Sequence, residues 1–381
     1  MVRSARRNLA IAAAAAASAV CAAYDLWLWA VNYVSDNFHN DFTFYFAGAR
    51  LGLVHGWSRL YDLGLQQEQL DAIGSGIKVA QLARYVSPPP LAWLVVPFTA
   101  LPYRAGYWAW CALLVAALVL AWQLAAPGRG RARLIFLVAA VGWLPVIYGL
   151  QLGQPALLVA AGVAACYAFI SRDRPVLAGA SLVVLVFKPQ LAWLVPPVLL
   201  VTGRWRAFAA SAVVLAILAV AAAIALGPGG ISTYEARLNF ATTVPENQSQ
   251  TLAAWFHNLQ LTRAVQALIA AWTLVIAYRL RGMGPETTLA VALVGGLAAS
   301  PYVHYDDLTM LGLAGLVYLR GPHPRWAWIW VLGLILAGES FPIWGAGPVL
   351  AGELGALVLF SAATMRPGRA NPMRSAEPNP G

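Results

Sequence analysis

The chain has 381 residues, of which 60% are hydrophobic and 10% charged, and it carries a net charge of +10. A soluble domain carries about 25% charged residues, so a soluble globular protein is excluded and a polytopic α-helical membrane protein is expected, its partner the lipid bilayer; the period-2 alternation of a membrane barrel is absent. The positive balance does not imply nucleic acid, because the arginines fall in small clusters between apolar runs: Arg3, Arg6, Arg7; Arg129, Arg131, Arg133; Arg172, Arg174; Arg204, Arg206; Arg279, Arg281; Arg320, Arg325; and Arg366, Arg369, Arg374.

The chain opens with "MVRSARRNLAIAAAAAASAVCAA", which has the basic, apolar and small-residue order of a signal peptide. The apolar run resumes at once with "YDLWLWAVNYV", which favours an uncleaved first span. Apolar runs then predict about twelve spans, at 8–31, 105–125, 134–150, 155–170, 176–188, 190–202, 207–226, 260–279, 286–300, 307–320, 326–340 and 349–365. The piece 88–101 opens with "PPP", contains Pro97 and is too short to cross upright; it reads as re-entrant or tilted. Runs 176–188 and 190–202 meet at Lys188-Pro189 and are either two spans or one kinked helix. With 88–101 not crossing and 176–202 crossing twice, every arginine cluster and both termini share one face. The expected organisation is one helical transmembrane domain over 1–365, followed by a disordered tail over 366–381 on that face.

The opposite face receives a long first loop (32–87), a second long loop (227–258) and short turns near Gln151–Gln154, Lys188, Pro301–Asp307 and Phe341–Gly347. Most acids gather there, Glu246 and Glu339 among them. The three cysteines, Cys21, Cys111 and Cys166, lie inside apolar runs and read as core residues.

Asp41, just past the first span, has the placement of a general base: a carboxylate at the membrane boundary is desolvated, and burial raises its pKa towards a useful range. Its competing reading is the N-cap of the helix that follows. In "FTFYFAGARLGLVHG", Phe42, Phe46 and Leu53 share one helical face, which predicts a helix lying along the interface. His304, in "SPYVHYDD" with Asp306 and Asp307, can shuttle protons or orient a base; its competing reading is an interfacial histidine beside an aspartate cap. No metal site is assigned, since one would want more ligands at defined spacing. Lys188, one of two lysines, sits in the apolar "VLVFKPQLAW", where a lone cation is costly and points to function, against the alternative of simple snorkelling. It would meet a phosphate as a point charge. Gln154 and Gln190 lie at the same level, and Tyr302 joins the aromatic belt. Asn247 and Ser249 form part of a glycosylation sequon but are better placed to hydrogen-bond a sugar.

In order, "NDFTFYFAGARLGLVHGWSRLYD", "YVSPPPLAWLVVPFTALPY", "GLQLGQPALL", "VFKPQLAWLVPPVLLVTGRWRA", "ENQSQTLAAW" and "SPYVHYDDL" resemble the pattern of glycosyltransferase family 87, the polyprenyl-phosphate-mannose-dependent α-mannosyltransferases of the GT-C superfamily, over about residues 36–320. The resemblance implies a GT-C helical bundle in a bacterial inner membrane, with its active site and the loops 32–87 and 227–258 facing the periplasm. It implies a polyprenyl-phosphate sugar donor, a glycolipid or glycan acceptor, and no cofactor. It places the base on Asp41, a second catalytic role on His304 and the motif lysine on Lys188. In the mechanism that follows, Asp41 deprotonates the acceptor and His304 orients Asp41 or receives its proton. Lys188 and Arg50 hold the departing phosphate, and Tyr45, Gln154, Gln190, Asn247, Ser249, Tyr302, Asp306 and Asp307 contact substrate. Mannose is an extrapolation within that family, and the C-terminal helices carry none of its motifs. The competing reading is a transporter or flippase of a lipid-linked saccharide. That reading expects ionisable groups at mid-bilayer and paired broken helices, whereas here, Asp25 aside, they gather at one face.

Overall fold

The computed structural model describes residues 2–79, 85–244, 247–256, 258–324 and 327–365. Among these there is no strand. The α-helices are α1 (Val2–Ser35), α2 (Asp41–His55), α3 (Leu63–Ala72), α4 (Pro89–Val95), α5 (Tyr103–Ala125), α6 (Leu134–Val141), α7 (Leu144–Leu152), α8 (Ala156–Ile170), α9 (Pro175–Ala180), α10 (Val195–Val201), α11 (Trp205–Ala241), α12 (Leu259–Arg279), α13 (Pro285–Ala298), α14 (Thr309–Tyr318), α15 (Ala327–Glu339), α16 (Phe341–Trp344) and α17 (Gly347–Thr364). The expected tail, 366–381, and Glu246 lie outside the described residues.

The expected all-helical class holds, but the count of twelve spans does not follow from helix length. Five helices are long and apolar enough to cross a membrane: Ala12–Ser35 of α1, then α5, α11, α12 and α17. The pair α6–α7, bent by 62°, makes a sixth if taken as one span. Other expected spans are short: α8, α13 and α15 have 15, 14 and 13 residues, about 20–23 Å against a hydrocarbon core of ~30 Å. The stretch 176–202 is shorter still, broken into α9, a 3-10 turn, Lys188, a second 3-10 turn over Pro189–Leu191, and α10. Prolines at the starts of α9, the second turn and α10 cause these breaks, since proline suits only a helix's first turn.

Two loop expectations change. The second loop, expected over 227–258, is helical as far as Ala241, because α11 continues past a kink at Gly227 (φ +62) and Pro228. Helix α2 is buried around most of its circumference rather than on one apolar face. Phe42 and Phe46 are buried as expected, but so are Thr43, Tyr45, Ala47, Gly48, Ala49, Leu51 and Gly52, while Leu53 is exposed. It is embedded against α3, α4 and the turn after α4.

Small residues set the closest helix approaches, as expected where backbones pack without a hydrophobic drive between helices. A Cβ on Gly179 of α9 would lie 2.1 Å from the Ala207 carbonyl oxygen of α11, and one on Gly295 of α13 would lie 2.1 Å from Thr273 Oγ1 of α12. From Thr287 onward α13 is wholly buried, whereas only 11% of the apolar windows of α1 and α11 are. The short α8 and α13 thus lie in the interior, and the long α1 and α11 lie at the surface.

The two ends of α5 differ in kind. Near its start, Tyr103 and Tyr107 bond to Asn37, Asn40 and Gln151. Near its finish, Arg133 and Arg320 donate to the carbonyls of Trp122 and Leu124. The same polarity recurs along the chain: α12 ends at Arg279, and α8, α10 and α14 end two or three residues before Arg172, Arg204 and Arg320, away from the turns at Gln154, Lys188 and Ser300–Asp307.

Replacing Gly179 with valine should overpack α9 against α11 and cost about 1–3 kcal/mol. Thermal unfolding of the detergent-solubilised protein should show a lowered midpoint, with Gly333→Ala, which has nothing within 4 Å of its added Cβ, close to wild type.

Candidate active site

Asp41 is the first residue of α2, and the cap is its neighbour. Asn40 Oδ1 accepts from the Thr43 backbone N–H at 3.1 Å, while Asn40 Nδ2 donates to the Tyr103 hydroxyl at 3.1 Å. Thr43 Oγ1 lies 2.6 Å from the same hydroxyl. With the capping task taken by Asn40, the Asp41 carboxylate is free for other work. It accepts a hydrogen bond from Gln154 Nε2.

Gln154 stands in the turn between α7 and α8. Gly153 closes α7 in the left-handed region (φ +72), and the Gln154 N–H returns to the Gly149 carbonyl at 2.8 Å, the helix ending that glycine makes without strain. Trp110 of α5 fixes the turn by donating from Nε1 to the Gly153 carbonyl at 2.7 Å. Gln154 Oε1 accepts from Lys188 Nζ at 3.0 Å and from the Tyr45 hydroxyl at 3.1 Å. With two donors on its oxygen, the amide must turn its NH2 to Asp41.

Lys188 is extended (φ −152) before Pro189, as the residue preceding a proline prefers. It is 7% exposed. Its ammonium pairs with Asp306 Oδ2 at 2.9 Å and with Asp307 Oδ1, besides Gln154. Both aspartates are fully buried on the 3-10 turn Tyr305–Leu308. Asp307 Oδ2 also accepts from the His304 N–H at 2.8 Å. Asp306 Oδ1 is buried without a hydrogen-bond partner among the described residues. Gly149 admits this turn: a Cβ there would lie 3.2 Å from Asp306 Cβ.

The electrostatics follow from one cation among three carboxylates. Burial would pull the Lys188 ammonium down, but Asp306 and Asp307 outweigh it and hold the proton on. Burial also opposes the Asp306 charge, and Lys188 keeps that carboxyl low; Asp307, facing the same burial and the charge of Asp306, is pushed up. Burial and then the Asp306 charge raise Asp41 to about 6, with Lys188 and the Gln154 hydrogen bond offsetting part of the shift. His304 is lowered to about 4 by burial and by Lys188, so its ring is neutral at pH 7.

Five of the expected residues thus meet in one network: Asp41, Gln154, Lys188, Asp306 and Asp307, with Tyr45 attached through Gln154. His304 is joined by its backbone, and its Nε2 lies 3.0 Å from Asn247 Oδ1, not against Asp41. The Tyr302 ring lies 4.6 Å from that of His304. Gln190, two residues past Lys188, is half-buried and forms none of the network's bonds; Ser249 is exposed two residues beyond Asn247. Lys188 spends all three of its N–H groups internally. Arg50 is nine residues along α2 from Asp41, which puts it on the far side of the helix and about 13 Å away along the axis. Reading the sequence missed Asn40, Tyr103, Trp110 and Gly153. The pair Asn-Asp before an apolar run was the one available signal for the cap.

A family model described as glycosyltransferase family 87 matches residues 85–301, more than half of the chain. The chain belongs to glycosyltransferase family 87. This family 87 protein is therefore a glycosyltransferase, and its long apolar helices mark it as a membrane protein. No curated protein and no solved structure matches it. The matched stretch contains Gln154 and Lys188 and ends before His304, Asp306 and Asp307; Asp41 precedes it. Of those outside it, Asp41, Asp306 and Asp307 are bonded to the two inside.

Removing the cation while leaving its partners is the costly change in such a buried network, about 3–5 kcal/mol. Lys188→Met should therefore lower the unfolding midpoint sharply at pH 7. Adding Asp306→Asn and Asp307→Asn to it should restore part of the loss, which a purely steric defect at Lys188 would not allow.

Proposed function

We propose that this protein transfers a hexosyl group, mannose by extension, from a polyprenyl-phosphate donor to an acceptor hydroxyl with inversion at C1, at the periplasmic face of a bacterial inner membrane. The observation that carries this is Asp41: a partly buried carboxylate, released from capping, fixed by Gln154 and raised to about 6. A base of that strength is unprotonated at pH 7 yet basic enough to accept a proton from an attacking alcohol. Asp41 takes the hydroxyl proton, the acceptor oxygen bonds to C1, and the C1–O bond to phosphate breaks with its electron pair leaving on the phosphate. The transition state is oxocarbenium-like, as in other glycosyl chemistry. Attack opposite the phosphate converts a β-linked donor into an α-linked product.

Lys188 acts in this scheme as an organiser of charge. Its three bonds are all internal, so a donor phosphate would feel its field or exchange with one of its acceptors. Arg50 is too remote from Asp41 to share that task unless the donor spans both. His304, neutral at pH 7, ties the second loop through Asn247 and makes no bond to Asp41 among the described residues; receipt of the proton by its ring stays part of the proposal. The periplasmic placement rests on helix polarity: the network sits at the helix ends opposite the arginines.

Asp41→Asn should lower transfer from polyprenyl-phosphate mannose to an alkyl glycoside by about 10²–10⁴-fold while donor binding persists. Substantial turnover in that variant would remove Asp41 from the mechanism. Because only the carboxylate form accepts a proton, kcat of the wild type should rise with pH through about 6 and then level off, and a pH profile of initial rates checks this.

A further inference from the structure

Beside the network, between the outer ends of α1 and α5, lies a cavity of about 260 Å³ lined by Trp29, Asn32, Tyr33, Asp36, Tyr107 and Gln151. It is just below the ~300 Å³ at which small-ligand sites begin, large enough for about one sugar ring and too small for a lipid chain. Its wall is aromatic: Tyr33 stacks on Tyr107 with centroids 4.6 Å apart, and Trp108 packs edge-on to Tyr33 at 4.9 Å. That wall is rigid, because Tyr107 accepts from Trp29 Nε1 at 2.8 Å and donates to the Gln151 carbonyl at 2.7 Å. Its polar groups are by contrast unspent. Among the described residues the Tyr33 hydroxyl oxygen is buried without a partner, and the side-chain amides of Asn32, which is exposed, and of Gln151, which is half-buried, form no hydrogen bond.

Flat aromatic faces with loose amide and hydroxyl groups suit a pyranose, which offers C–H faces and a rim of hydroxyls. Asp36 argues against a phosphate-bearing guest. Its carboxylate accepts from the backbone N–H groups of Phe38 and His39 and pairs with the His39 ring. Burial works slightly against its charge, but these bonds prevail and hold it below the usual carboxylate range. The cavity approaches the base along the chain from two sides: Asn40, which lines it, precedes Asp41, and Gln151, in the last turn of α7, stands three residues before Gln154.

We infer that this cleft is the acceptor subsite, holding an uncharged sugar of the acceptor so that one of its hydroxyls reaches Asp41. The assignment rests on the transferase reading above and names the half of the reaction that reading leaves open. The full-length enzyme in nanodiscs tests it, with octyl mannoside and octyl glucoside at submicellar concentration as probes, each also made with a photoreactive diazirine. The photoprobe should label the segment Trp29–Asn40 or the peptide containing Gln151, competed by the unlabelled glycoside and not by inorganic phosphate. With polyprenyl-phosphate mannose as donor, Asn32→Trp, which fills the cleft, and Gln151→Ala, which removes one amide, should each raise the KM for the octyl glycoside about tenfold, the loss of roughly one hydrogen bond, with kcat within twofold and the donor KM unmoved. Labelling confined to other segments, competition by phosphate, or an unchanged acceptor KM in both variants overturns the assignment. Labelling in the cleft by a wild-type enzyme that transfers nothing supports the sugar site and overturns the transferase reading instead.

Discussion

A single ammonium group organises the polar centre of this protein. Lys188 is buried where an unpaired cation would not be tolerated, and its solution is to bind three oxygens at once. Those oxygens belong to the α7–α8 turn and to the 3-10 turn before α14, which is 118 residues away along the chain. The ion pairs therefore fix the relative positions of three chain reversals that local structure alone leaves independent. Burying charge is expensive, and here the cost is offset by satisfying every N–H of the cation. The unpartnered Asp306 Oδ1 is the residual imbalance.

The link from that cation to Asp41 runs through an amide. A direct Lys–Asp pair would press the carboxyl pKa down by one to three units and leave a poor base. Gln154 instead passes on orientation while diluting charge, since its oxygen is occupied by Lys188 and Tyr45 and its NH2 faces Asp41. Asp41 is thus fixed in place, while burial and the Asp306 charge keep it raised against the smaller lowering by Lys188 and the Gln154 hydrogen bond. Asn40 contributes from the other side: by occupying the helix cap it leaves the acid free.

Asp41, Lys188 and the "HYDD" acids were legible in the sequence because charge inside a greasy chain stands out and its cost demands a purpose. Gln154 was legible as a polar group at the same level. The bonds among them were not, since pairing across more than a hundred residues leaves no trace in periodicity or composition. Long spans such as α5 and α12 were placed within two residues, but the shorter ones do not form helices of spanning length: an apolar run does not fix helix length, and Pro189 and Pro196 interrupt the stretch 176–202. The helix over 228–241 was missed because glycine and proline at its start read as a loop. Embedding of α2 was missed because its small residues, Ala47, Gly48 and Ala49, permit close packing without signalling it.

The Trp110–Gly153 bond sets a depth. Trp110 lies seven residues inside the start of α5, about 10 Å along its axis, so the turn that carries Gln154 is held in from that end of the helix. The charges bonded to Gln154 are buried with it: Lys188 is 7% exposed, and Asp306 and Asp307 are fully enclosed. A glycosyl group brought against Asp41, under the proposed function, would therefore meet a wall of protein groups on one side, which limits the approach of bulk water, the commonest rival nucleophile in such a transfer.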